Sequence, residues 1–330
     1  MMKKLKNKTL ALIAITSIGT SFAMTSPISV SATQNNGEKI YAMQTKNEIE
    51  DAKVPIENLV NHFVKNLNKY YPDKIQGTYR EDKDPKIIYN NLNFNQFSVQ
   101  ADGPPVITSS ENVYVGRETL TNNTNVEQVL TTQSFTKTLS NTVTSSTTHG
   151  FLFGVKASAK FNIPFVGETG VEMSTEYNFS NTSSYENSES YTYIVSPQNI
   201  RVPAHSSVEV IVILNTAKMN GDVKLLANAS GTVTASPFYT NPQYPNIDFN
   251  AYMENMKLNE IARVVSQENL KNISPNSDGE TINLIGSGKY EAKYGTTSSV
   301  TVNPVNTKGK VADDGYTYNV NPEIVKENSF

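Results

Sequence analysis

Apolar and polar residues alternate along two neighbouring stretches of the chain. From 149 to 165 the odd positions are His149, Phe151, Phe153, Val155, Ala157, Ala159, Phe161, Ile163 and Phe165. The even positions, apart from Leu152, are Gly, Lys, Ser, Asn or Pro. Val166, Gly167, Glu168, Thr169 and Gly170 read as a turn. Beyond it Val171, Met173, Thr175, Tyr177 and Phe179 alternate with Glu172, Ser174, Glu176, Asn178 and Ser180. Strand side chains change face with a period of two, so each arm carries one apolar and one polar face. A five-residue loop pairs Phe165 with Val171, Ile163 with Met173, Phe161 with Thr175 and Ala159 with Tyr177, all on the apolar face. On the other face Lys160 meets Glu176, an opposite-charge pair worth about 0.2–1 kcal/mol. A slip of one residue would set apolar positions against polar ones, so the pattern specifies the register.

Elsewhere the spacing changes. Between Pro55 and Pro72, residues Ile56, Leu59, Val60, Phe63, Val64, Leu67 and Tyr70 recur at three- and four-residue intervals and predict an amphipathic helix. Strands are predicted at Val113–Val115, Val208–Leu214, Val223–Ala229, Ile282–Leu284 and Tyr290–Tyr294. Turn residues separate them at Asp102–Pro105, Asn220–Asp222, Asp278–Gly279 and Tyr294–Gly295. Residues 252–265 fit a short helix or a strand. The stretch 131–148 has twelve Ser or Thr in eighteen positions and a single charge, so it suits a strand wetted on both faces that buries little. The prediction is a mainly β chain of long antiparallel strands with a short N-terminal helical region.

Composition narrows the function. Lys3, Lys4, Lys6 and Lys8 precede an apolar run, Leu10–Ile18, and small residues ending at Ala32, the pattern of a signal peptide over 1–32. The run is shorter than the ~20 residues of a spanning helix, so a secreted, extracellular protein is expected. Residues 33–53 are polar and read as a mobile leader. Without the signal, 24 bases stand against 31 acids, a net charge of −7, with no basic footprint for nucleic acid. There is no Cys, and the three His are widely spaced. Gly286–Lys289 is followed by Tyr290 where a phosphate loop needs Ser or Thr. Pro275–Gly279 resembles a calcium loop but has Ile285 where the bidentate Glu belongs. No catalytic residue, metal or cofactor is expected, and the chain reads as a non-enzyme.

Length separates the remaining readings. Globular strands run to about 5–6 residues, whereas a membrane-spanning β-strand needs about 9–11, alternating lipid-facing and lumen-facing side chains. A lone hairpin cannot cross lipid because its edges leave backbone groups unpaired, so several copies must close a barrel. Burying the large apolar side chains of the first arm supplies at most about 9–18 kcal/mol per copy. The competing reading is a long, half-buried hairpin in a soluble β-domain. A secreted β-rich protein that binds a carbohydrate or a cell surface through exposed aromatics such as Phe238, Tyr239 and Tyr244, without forming a pore, is the alternative function.

Several short motifs, in order, resemble one family. Asn112–Arg117 and Leu120–Thr124 resemble the entry to the central region of epsilon-toxin and mosquitocidal-toxin proteins, which are aerolysin-like β-pore-forming toxins. Ser134–Thr136, Thr147–His149, Ala159–Phe161, Pro164–Phe165 and Glu168–Gly170 follow. Val202–Ala204, Val208–Val210, Gly221–Leu225, Gly279–Asn283 and Gly286–Tyr290 close the series, and Lys69–Pro72 fits at the front. The resemblance implies an elongated, multi-part fold and a protoxin that binds a cell-surface receptor, protein or glycan. Such a protoxin is trimmed, forms a homo-oligomeric ring, a heptamer in the best-known cases, and inserts one hairpin per subunit into membrane lipid. Here that hairpin is 149–180. Phe151, Phe153, Val155, Phe161, Ile163, Phe165, Val171, Met173, Tyr177 and Phe179 would face lipid, Lys156, Lys160, Glu172 and Glu176 the channel, and 166–170 the tip. The implied regions are a receptor-binding part at 54–111, a central part at 112–230, a C-terminal β-sandwich at 231–302, discontinuous with the central strands, and a propeptide at 303–330. The family's tyrosine-rich receptor patch is reduced here to Tyr70 and Tyr71, with His62 and Phe63 nearby. Lys39, Lys46 and Lys53 at one end, and Lys308 and Lys310 at the other, are the candidate cleavage sites.

Overall fold

The computed structural model describes residues 48–164, 171–244, 246–268, 272–305 and 315–327. The signal peptide, Lys39, Lys46, Phe165, the tip residues 166–170, Lys308 and Lys310 lie outside these.

The chain begins with strand β1 (Glu48–Asp51), then helices α1 (Lys53–Lys65) and α2 (Leu67–Tyr70). Two long strands follow, β2 (Lys86–Ala101) and β3 (Val106–Asn122), then the short β4 (Gln128–Thr131) and the Ser/Thr-rich β5 (Phe135–Leu152). After β6 (Ser158–Asn162), β7 (Ser174–Asn178), β8 (Tyr185–Val195) and β9 (Asn199–Val202) comes β10 (Ser206–Ser236). The rest comprises β11 (Phe238–Thr240), β12 (Asp248–Asn250), β13 (Met253–Lys257), α3 (Leu258–Val265), β14 (Ile273–Pro275), β15 (Ile282–Val305), β16 (Tyr316–Val320) and β17 (Glu323–Lys326).

One eleven-stranded sheet, ordered β13-β10-β15-β5-β8-β17, organises the chain. At about 3.3 Å per residue, the 31 residues of β10 reach roughly 100 Å. β15 pairs antiparallel along one edge of β10, while β3 and then β2 share the other. The predicted alternations face the core: Val208, Val210, Val212, Leu214, Val223, Leu225, Ala227, Ala229, Tyr290, Ala292 and Tyr294 are all buried. The described tail strands also lie on edges, β16 beside β15 and β17 beside β8.

Several expectations change. Asn220–Asp222 is not a turn but the middle of β10, so two predicted strands are one. Gly221 is there for close approach: a Cβ would lie 2.5 Å from the Tyr290 hydroxyl. Gly295 likewise lies within β15. Residues 252–265 are both things in turn, since β13 runs directly into α3. The supposed mobile leader ends in strand β1, which pairs with β5. The expected region boundaries at 111/112 and 230/231 fall inside the continuous strands β3 and β10.

Candidate membrane-inserting hairpin

β6 and β7 form a two-stranded sheet of their own, with Ala159 opposite Tyr177, Lys160 opposite Glu176 and Phe161 opposite Thr175. The Ile163 amide donates to the Met173 carbonyl at 2.9 Å. These are the pairs the alternation specifies, because only this register keeps both apolar sets on one face. That face is dry. Phe151, Phe153, Ala157, Phe161, Ile163, Val171, Met173, Tyr177 and Phe179 are each at most 9% exposed. Phe153 packs edge-on against Phe94 and Phe97 of β2, at 5.3 and 4.9 Å between ring centres. Phe161 lies 5.4 Å from Tyr290 of β15. The opposite face, with Lys156, Lys160, Glu172 and Glu176, is exposed.

The first arm is not one strand. β5 ends at Leu152, Gly154 takes a left-handed φ of 73°, and the ladder resumes only at Ser158. A residue with a Cβ would resist that conformation. The bend turns Val155 outward to 60% exposure, although its position in the alternation groups it with Phe153 and Ala157. The buried face also changes the energetics expected from sequence. Its side chains would leave one apolar surrounding for another, so most of the 9–18 kcal/mol is already spent holding the hairpin against the sheet.

The free edge of β7 is held by side chains rather than by a strand. Carbonyls of residues 172, 174 and 178 point away from β6. The Tyr191 hydroxyl donates to the Glu172 carbonyl at 2.8 Å, and the Asn187 amide donates to that of Ser174 at 3.1 Å. Thr147 Oγ1 donates to the Asn178 carbonyl at 2.8 Å, and the Ser145 and Thr175 hydroxyls share a bond of 2.8 Å. From β7, the Tyr177 hydroxyl donates to the Lys289 carbonyl at 2.9 Å. Burial pushes both phenols upward, joined for Tyr191 by the Glu189 carboxylate, so each remains a donor at neutral pH. Sequence reasoning missed these holders because it read the Ser/Thr-rich strand as wet on both sides. One face of it is buried through Asn141, Val143, Ser145 and Thr147. The period-two placement of Asn141, Val143, Ser145 and Thr147 was the available signal.

The proposed receptor residues divide. His62 and Tyr70 both bind the Glu268 carboxylate, at 2.6 and 2.7 Å, and Lys69 does so at 2.5 Å. Phe63 is fully buried and stacks on Tyr70, so it is a core residue and not a surface contact. Tyr71 packs edge-on against Phe63. Lys53, the cleavage candidate within the described residues, is the exposed first residue of α1. Of the aromatics considered for carbohydrate, Tyr239 is buried and its hydroxyl donates to the Val64 carbonyl at 2.6 Å. Tyr244 is 60% exposed.

No curated protein matches the chain. Among solved structures, the Mpp75Aa1.1 beta-pore-forming protein from Brevibacillus laterosporus is similar, with a TM-score of 0.64 and 21% identity over 85% of this chain and 98% of that one. That likeness concerns the fold. A chain of the Cry23Aa1 and Cry37Aa1 binary protein complex has a TM-score of 0.49 and 22% identity, covering 84% and 99% of the two chains. The sequence profile decides membership. It matches residues 60–313, and the chain belongs to the family described as Clostridium epsilon toxin ETX/Bacillus mosquitocidal toxin MTX2.

Proposed function

We propose that this chain is a secreted pore-forming protoxin. In this reading it binds a cell surface through its N-terminal region, is trimmed at its ends, assembles into a homo-oligomeric ring, heptameric by family likeness, and inserts residues 149–180 as a β-hairpin. The observation that carries the reading is the amphipathic hairpin itself. Its apolar face is buried on the sheet, its polar face is exposed, and its free edge is tied down by side chains that can let go. Straightening the bend at Gly154 would return Val155 to the apolar face and give an arm long enough to cross lipid. Oligomerisation supplies the backbone partners that a single hairpin lacks.

The test is trypsin trimming followed by dye-loaded cells or liposomes, scored for release and for an SDS-resistant oligomer. Release with a large oligomer is expected only after trimming. Phe161→Asp with Ile163→Asp should abolish release, since two carboxylates on the lipid face are costly in the membrane; because both side chains are buried on the sheet, the variant is scored only where circular dichroism and cell binding show it folded. Undiminished release by the double variant would remove the hairpin from the reading.

A further inference from the structure

The base of the insertion arm is gripped by a strand from the other end of the chain. β1 runs parallel to the end of β5, with Glu48 beside His149, Ile49 beside Gly150, Glu50 beside Phe151 and Asp51 beside Leu152. The Ala52 amide continues the ladder to the Leu152 carbonyl at 3.0 Å. Ile49 lies directly over Gly150, where a Cβ would come within 2.8 Å of its Cδ1. Glu50 Oε1 is 3.1 Å from His149 Nε2. Across the arm, the Phe151 amide donates to the Phe179 carbonyl at 2.8 Å. Residues 149–152 are therefore engaged on both sides.

A barrel strand needs both of its edges for neighbouring arms, because an unpaired backbone group in lipid is costly. The edge taken by β1 is unavailable until β1 departs. β1 is joined to α1 through Ala52 alone, which is fully buried, and the apolar face of α1 is part of the core. There is no slack between the helical region and the arm. We infer that β1 is a clasp that must open before the hairpin can extend, and that it couples displacement of α1 to release of the arm. This rests on the pore-forming reading above. It also ranks the leader cleavages: a cut after Lys39 or Lys46 leaves the clasp in place, and only one after Lys53 severs it from α1.

The chain has no Cys, so a cross-link can be placed cleanly. Asp51 and Leu152 are register partners with exposed side chains, and neighbouring strands about 4.8 Å apart lie within disulfide range. The trimmed Asp51→Cys/Leu152→Cys protein should bind cells when oxidised yet release dye at least about tenfold more slowly than when reduced. Reduction should restore the wild-type rate. Equal rates in the two states would overturn the clasp. Glu48→Cys/His149→Cys repeats the test at the other end of the ladder should the first pair fail to fold or close. Ile49→Ala, which removes the packing over Gly150, should speed release, and an unchanged or slower rate counts against the inference. If trimmed wild type releases no dye from any membrane, the pore-forming reading fails and takes the clasp with it. Wild-type release with equal oxidised and reduced rates removes the clasp alone.

Discussion

At the scale of single residues, Glu268 shows how a polar group ties the helical region to a distant turn. Its carboxylate receives Lys69, Tyr70 and His62, and these bonds, that of Lys69 foremost, pull its pKa from 4.5 down to about 2. A folded-state pKa below the unfolded value contributes stability that is complete above about 4.5 and is lost as pH falls through about 2. Glu268→Gln should therefore melt earlier than wild type at pH 6, with the gap closing progressively below pH 4.5. A gap that persists unchanged to pH 2.5 would show that the charge is not what matters. Gly221 makes the opposite kind of demand, for the absence of atoms. Gly221→Ala should destabilise by about 1–3 kcal/mol in urea unfolding, because the Tyr290 ring occupies the space of the new methyl group.

At the scale of elements, the holders of β7 can be removed one at a time. Thr147→Val leaves the Asn178 carbonyl of β7 without its donor, and Tyr191→Phe leaves that of Glu172, just before β7, at about 1–3 kcal/mol apiece. The double variant should unfold at lower denaturant and, once trimmed, release dye faster; unaltered kinetics would mean the hairpin is held by its apolar face alone. The hairpin was legible in sequence because its signal is local: period two along Phe151–Phe179, a turn, and matching apolar sets that fix the register. The helix predicted between Pro55 and Pro72 was legible for the same reason, although the chain breaks it at Asn66 into α1 and α2. What could not be read depends on contacts far apart in the chain. Asn220-Gly221-Asp222 has turn chemistry, yet its glycine answers to Tyr290, 69 residues away, and β10 runs straight through. Gly154 looked like one more small residue on a polar face, whereas its backbone breaks the arm. β1 is four residues, Glu-Ile-Glu-Asp, too short and too charged to declare itself a strand before its partner is known.

At the scale of the whole molecule, the two ends of the described chain both act on the central sheet, β1 on β5 and β17 on β8. A cut at Lys308 or Lys310 would break the chain without breaking these ladders. Tyr316–Val320 would stay paired with β15, and Glu323–Lys326 with β8. Native mass spectrometry of the trypsin-treated protein should find the C-terminal fragment still attached in buffer and lost on contact with susceptible membranes. Immediate loss in buffer would mean that cleavage itself bares the edge. The edge of β7 obeys a different rule from these backbone ladders. A hydroxyl or amide at the end of a side chain can swing to water by itself, whereas a ladder bond is locked in step with its neighbours. The hairpin's outer margin can thus be undone rung by rung, each rung rehydrating as it opens, so that no concerted rupture is needed along that margin.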